Sequence, residues 1–207
     1  MLRNVGIYIL SIAIILTIGC SVFQPVKVEP ITTYALTGNT NVIVNEKQRG
    51  SKNIVVSVTK ASPGYATDQM VYVKKPYQLE YYTKNKWVQP PAKMLQPLIM
   101  KALQTSGNFH AVTMAPFFGM YDYRLDTELL KLQQEFTGNT SVERLEMSAQ
   151  LVRASDQKIV ATRNFVYVIP IREYTPYGGV IAANQAVNQW LIDLKRFHKK
   201  AVSIDFI

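Results

Sequence analysis

The sequence predicts an α+β fold: an antiparallel sheet with two amphipathic helices packed on one face, a two-layer sandwich. Three observations point to it. Met94/Leu95, Leu98/Ile99 and Ala102/Leu103 recur every three to four residues, giving one apolar stripe along a helix. Val180, Ala183, Val187, Trp190/Leu191, Leu194 and Phe197 repeat that spacing near the C-terminus. Between the two helices, Leu145, Met147, Ala149 and Leu151 alternate with Glu146, Ser148 and Gln150, the period of a strand with one covered and one wet face. A sheet with one apolar face and two helices with one apolar stripe each bury all three surfaces in two layers.

In chain order, Met1-Leu2-Arg3-Asn4 is a short positive start, and Val5 to Gly19 carries no charge and is mostly Ile, Leu, Val and Ala. Small Gly19 precedes Cys20, the only cysteine. This is the layout of a secretory signal. Thr17-Ile18-Gly19-Cys20 resembles a bacterial lipobox, with Thr17 where such motifs usually carry leucine. In lipoproteins of that kind, cleavage leaves the cysteine as a triply acylated N-terminus. Each buried CH₂ contributes roughly 0.8 kcal/mol, so one chain binds reversibly and three hold. Two other readings stay open. The uncharged run continues through Ser21, Val22, Phe23 and Gln24 as far as Lys27, long enough to span a bilayer uncleaved, and a lone cysteine can be a buried core thiol. Either membrane reading leaves Arg3 in the cytoplasm and the body outside it. The expected organisation is a lipoprotein signal peptide over 1–19, the lipidated cysteine and a tether over 20–32, one domain over 33–200 and a tail over 201–207.

Thr32 to Leu36 is a short first strand, Asn39 to Asn53 a polar loop, and Ile54 to Val58 a β-branched buried strand. Ala61-Ser62-Pro63-Gly64 turns the chain into a hairpin of Met70–Lys74 and Gln78–Tyr82, joined at Lys75-Pro76. Thr83-Lys84-Asn85-Lys86 reads as a polar turn that ends the second strand. The first helix follows Pro90-Pro91. A start near Leu95 places Pro97 in the first turn, where its missing N–H costs little; a start near Pro91 puts it in the interior and predicts a kink. Gly107 is a stop signal. Phe109–Met114 is a strand, and Ala115–Gly119 a loop. Three longer strands follow, with Tyr123, Leu125 and Leu129 inward on the first. Ile159, Ala161, Phe165 and Tyr167 share a face of the third, with Arg163 the exception. Tyr174–Gly179 is a loop whose Gly178-Gly179 leads into the last helix, and its basic C-terminal turn suits the helix dipole.

Several chemistries find no support. His110 and His198, the only histidines, stand far apart without partners at ligand spacing, so no metal or other cofactor is expected. His198 in a basic helix end reads as a solvated cap. Asp122, Asp126 and Glu128 are the only tight carboxylate group worth testing; Asp126 and Glu128 would share one strand face, the placement of an acid/base pair, but a charged wet face beside Arg124 accounts for them more simply. There is no G-x-S-x-G, P-loop or G-x-G-x-x-G pattern, and the chain reads as a non-enzyme. The net charge of +9 favours anionic partners, but a body outside the cytoplasm argues against nucleic acid. Aromatics remain. Tyr72, Tyr81, Tyr82 and Trp87 are the candidate partner-binding set, since tyrosine and tryptophan are enriched at interfaces; Cys20 is the candidate lipidation site.

Several long segments together resemble one family. They are MVYVKKPYQLEYYTKNKWVQPPAKML, RLDTELLKLQQEF, IVATRNF and TPYGGVIAANQAV, in the order expected. The chain resembles the auxiliary lipoproteins of ABC-type intermembrane lipid transport systems, the PqiC-like group, from Tyr34 to Phe197. The resemblance implies a lipid-anchored periplasmic domain working with an MCE-domain substrate-binding protein, an ABC permease and an ATPase. It carries over no catalytic residue, only lipidation at Cys20. Ser21 after the cysteine, where aspartate would retain a lipoprotein, favours the outer membrane over the inner. Other readings stay open: an envelope lipoprotein regulating a peptidoglycan synthase, a lipid carrier with its own apolar cavity, and self-association into a homo-oligomer.

Overall fold

A computed structural model of the chain describes residues 30–38 and 50–204. The signal, Cys20 and most of the expected tether and polar loop lie outside the described residues.

Two strands of opposite direction make the spine: β7 (Tyr123–Thr137) and β8 (Thr140–Arg153), joined at Gly138, whose φ of +57° suits glycine. β9 (Ile159–Pro170) continues the antiparallel meander beside β8. On the other side of β7 the chain lays down β2 (Asn53–Val56), β3 (Lys60–Ala61) and β4 (Gln69–Val73) in succession, all parallel to it. They act as one interrupted strand, broken by a 3₁₀ turn at Pro63–Tyr65. Antiparallel to β4 lies β5 (Glu80–Trp87). β1 (Thr32–Tyr34) is parallel to β5, and β6 (Ala111–Met114) is parallel to β2. The fold class is therefore α+β, as the sequence predicts, but its nine described strands form a mixed sheet rather than a wholly antiparallel one.

Helices α1 (Pro91–Gln104) and α2 (Pro176–Ile204) close the apolar side. Alternation explains which side that is. Tyr123, Leu125, Thr127 and Leu129 of β7 pair with Arg153, Leu151, Ala149 and Met147 of β8; apart from half-buried Arg153, each of these is at most 4 % exposed. A bulge between Leu129 and Lys131 resets the period, so that Leu132 and then Gln134 continue the covered face. The opposite face is a wet lattice of ion pairs. Arg144 meets Glu135 at 2.7 Å, Lys131 meets Glu146 at 3.2 Å and Arg124 meets Asp126 at 3.0 Å. Half-exposed pairs of this kind are each worth roughly 0–1 kcal/mol, so the core carries the fold.

Five local expectations are corrected. β5 runs through Thr83–Lys86 to Trp87 because that stretch is flanked by β1 and β4 and its polar side chains find partners. Lys86 pairs with Asp68 at 3.0 Å, and the Tyr34 hydroxyl donates to Asn85 at 3.1 Å. α1 starts at Pro91, so Pro97 lies inside it; Lys93 and Pro97 share the exposed face, where water can take up the carbonyl that loses its N–H. α2 starts at Pro176, which places Gly178 and Gly179 in its first turns rather than in a loop. It runs on to Ile204 with Ala201 buried, so the expected tail is in part helix. Ile159, expected inward, is 52 % exposed at the start of edge strand β9.

Candidate functional site

Of the four expected partner-binding aromatics, the structure brings two together. Tyr72 on β4 and Tyr82 on β5 stack with ring centroids 4.5 Å apart, and Phe136 of β7 meets Tyr72 in a T-shaped contact at 6.2 Å. Lys74 lies 5.1 Å over the Tyr72 ring, whose hydroxyl donates to Glu80 at 2.7 Å. Tyr81, one residue on, points the other way as strand alternation requires, and its hydroxyl donates to the Gly64 carbonyl at 3.3 Å. Trp87 is 3 % exposed and belongs to the core, so it supports the strand rather than offering a surface. Cys20 lies outside the described residues.

The tyrosine pair leads into a buried polar cluster that the sequence reading missed. Tyr82 donates through its hydroxyl to Gln134 Oε1 at 2.9 Å, and Gln134 Nε2 donates to Ser141 Oγ at 3.1 Å. Glu143 lies beside them, 4 % exposed. Burial, and then the Glu135 carboxylate, push its carboxyl well above the ordinary glutamate value, so the fold favours its protonated form. Burial also raises the Tyr82 hydroxyl above the tyrosine range, with Glu143 adding to the effect. The first turns of α2 roof the cluster because they are glycine. A methyl on Gly179 would stand 2.9 Å from Gln134 Oε1, and one on Gly178 only 2.1 Å from the Glu173 carbonyl oxygen. A signal for Glu143 was present: counting back by two from Leu145 puts it on the apolar face.

That geometry predicts an unusual substitution. Glu143→Gln keeps the shape and removes the ionisable group. The unfolded chain gains from ionising Glu143 as pH rises past the ordinary carboxylate value, while the fold resists it. The variant is therefore expected to match the parent near pH 4 and to be more stable at pH 8, as read by urea denaturation at both. Equal stability at pH 8 would remove the assignment.

The acidic group resolves into structural pairings. Asp122 accepts from the Asn53 N–H at 2.8 Å and from Lys52 at 3.0 Å. Burial raises its carboxyl, but these partners outweigh it and hold it below the usual value. Asp126 accepts from Ser57 at 2.5 Å and from Arg124 at 3.0 Å. Among the described residues no cluster of His, Cys, Asp and Glu could hold a metal ion, and no helix is long and apolar enough to cross a membrane. His198 is not a solvated cap. It is fully buried between Phe109 and Phe197, because the helix continues past it.

The fold is similar to the crystal structure of protein XCC0632 from Xanthomonas campestris, with a TM-score of 0.73 and 24 % identity over 84 % of this chain and 98 % of that one. A second crystal structure, of an uncharacterized protein, gives a TM-score of 0.65 and 14 % identity over 81 % and 98 %. These likenesses are of fold. No curated protein matches. The family model described as "ABC-type transport auxiliary lipoprotein component" matches residues 34–193, from the ring of Tyr34 on β1 to Asp193 on α2. A match over most of the chain shows the family, and this chain belongs to the ABC-type transport auxiliary lipoprotein components.

Proposed function

We propose that the chain is the lipid-anchored adaptor of an ABC-type system that moves lipid between the two membranes of a Gram-negative envelope. Acylated Cys20 holds it at the outer membrane, and the domain docks an MCE-domain substrate-binding protein whose permease and ATPase supply the energy. The family match over residues 34–193 carries this reading. The sequence around Cys20 supports the anchor: an uncharged run, a small residue before the cysteine and serine after it. The domain's contribution is to position, not to transform. Docking through the half-buried tyrosines Tyr72, Tyr81 and Tyr82 belongs to this reading, with Trp87 fixing from within the strand that carries two of them.

Two measurements test it. Cys20→Ala is expected to leave the protein as a precursor or in the soluble fraction; a mature form still fractionating with the outer membrane would defeat the anchor. A photo-crosslinker at Tyr81 is expected to capture an MCE-domain protein, identified by mass spectrometry. Capture of a peptidoglycan synthase in its place would reassign the adaptor to cell-wall synthesis.

A further inference from the structure

We propose that one rim of the sheet, formed by the turns at Lys74–Leu79, Gly138–Asn139 and Ile171–Thr175, rests on the headgroup layer of a bilayer containing anionic phospholipid. The pairing of Val73 with Glu135 sets the β4–β5 turn beside the end of β7. The pairing of Val142 with Pro170 sets the turn after β9 beside the start of β8. The Tyr174 hydroxyl ties it there by donating to the Asn139 carbonyl at 2.5 Å.

The side chains on this rim suit an interface. Tyr77 is fully exposed, and Tyr174 and Tyr177 are 58 % and 54 % exposed. Tyr77 sits at a φ of +68°, a region that few non-glycine residues adopt, at the tip of the turn. Lys74, Lys75 and Arg172 are exposed on the same rim against one exposed acid, Glu173. Tyrosine rings settle at headgroup depth with the hydroxyl toward water. Lysine and arginine beside them are drawn to anionic lipid.

By apolarity alone a different surface would be chosen. Phe118 and Met120, 99 % and 94 % exposed, project from the loop after β6, near the start of β7. The path of the chain decides between the two ends, given the anchor at Cys20 proposed above. β1 pairs with β5 in parallel, Thr32 with Asn85 and Tyr34 with Trp87, while β5 begins at Glu80 opposite Tyr72, next to the rim. β1 therefore runs away from the rim, with Thr32 at its rim-side end. The stretch from Ser21 to Pro30 is 10 residues and spans about 35 Å at full extension. The 15 residues of β7 make it about 50 Å long, so a domain resting on the rim holds the Phe118 end roughly that far from the bilayer.

The test uses the full, processed protein in vesicles of phosphatidylethanolamine and phosphatidylglycerol. Cys20 is the only cysteine and is acylated in the proposed form, so an introduced thiol takes a fluorophore alone. Probes at Gln78→Cys and Phe118→Cys occupy exposed positions at opposite ends. The Gln78 probe is expected to shift to the blue and to lose emission to brominated lipid, and the Phe118 probe to stay in water. Adding Lys75→Ser and Tyr77→Ser to the Gln78→Cys protein is expected to restore its emission. Quenching at Phe118 alone, or at neither position in protein that floats with the vesicles, overturns the rim while leaving the anchor intact. Protein that fails to float overturns the anchor and the orientation with it. Quenching at Gln78 that the added serines leave unchanged assigns the contact to the tether and overturns the role of these side chains.

Discussion

Trp190→Ala is expected to destabilise the domain by about 4 kcal/mol, the size typical of truncating a buried aromatic, and Trp190→Phe by much less. Trp190 is fully buried, one of the largest such side chains, at the middle of the α2 stripe. Around it α2 has small residues: Ala182, Ala183 and Ala186 are each at most 2 % exposed and let the helix lie close to β8 and β9. A cavity beneath so tightly seated a helix cannot easily collapse, which places the cost toward the upper part of the range. The phenylalanine variant separates volume from polarity. Among the described residues the indole Nε1 is buried without a hydrogen-bond partner, a defect that costs about 1–3 kcal/mol in general and that phenylalanine lacks. Urea denaturation of the three proteins checks both halves. A loss for Trp190→Phe close to that for Trp190→Ala would show that the ring's full width, rather than its apolar bulk, holds the two layers.

The same packing explains what could be read in advance. Wherever one face of an element is dry and the other wet, the sequence carries the period: Leu145 to Leu151 on β8 and Val180 to Phe197 on α2 are legible residue by residue. Legibility ends where backbone pairing or distant contacts decide. Thr83–Lys86 has turn chemistry, yet it is strand because β1 and β4 flank it, and side-chain hydropathy is blind to that. The parallel run of β2, β3 and β4 along β7 depends on contacts 62 to 69 residues apart in sequence, which local pattern does not encode. Gln134 is inside because of the bulge at Leu129/Lys131, an insertion that shifts an otherwise regular alternation. Among the aromatics, composition marked a group but not its division into the Tyr72–Tyr82 stack, half-buried Tyr81 tied to Gly64, and core Trp87. His198 was hidden by its neighbours. It lies four residues after Leu194 on the apolar stripe, but Lys195, Arg196, Lys199 and Lys200 surround it in sequence.

His198 makes stability depend on pH, with a sign opposite to that of Glu143. Its Nδ1 lies 2.6 Å from the Leu194 carbonyl, which can only accept, so Nδ1 carries the proton of the neutral ring. Among the described residues Nε2 is buried without a partner, and the ring lies steeply inclined to those of Phe109 and Phe197, with centroids 6.1 and 5.1 Å away. Burial, only partly offset by the bond to Leu194, lowers the histidine from 6.5 to about 4. A depressed value means that protonation favours the unfolded chain. The neutral ring's contribution is whole above pH 6.5 and is lost as pH falls toward 4, by about 3 kcal/mol in all. Glu143 opposes this, since its raised value makes the fold lose stability as pH rises past the ordinary carboxylate value. The parent protein is thus expected to show a muted profile, two buried groups pulling against each other. Glu143→Gln should unmask a steep loss of stability between pH 6.5 and 4, and adding His198→Phe should flatten it. Urea midpoints measured across that range decide the matter: a Glu143→Gln profile already flat above the carboxylate range would mean that the ring between Phe109 and Phe197 accepts its proton without opposing it.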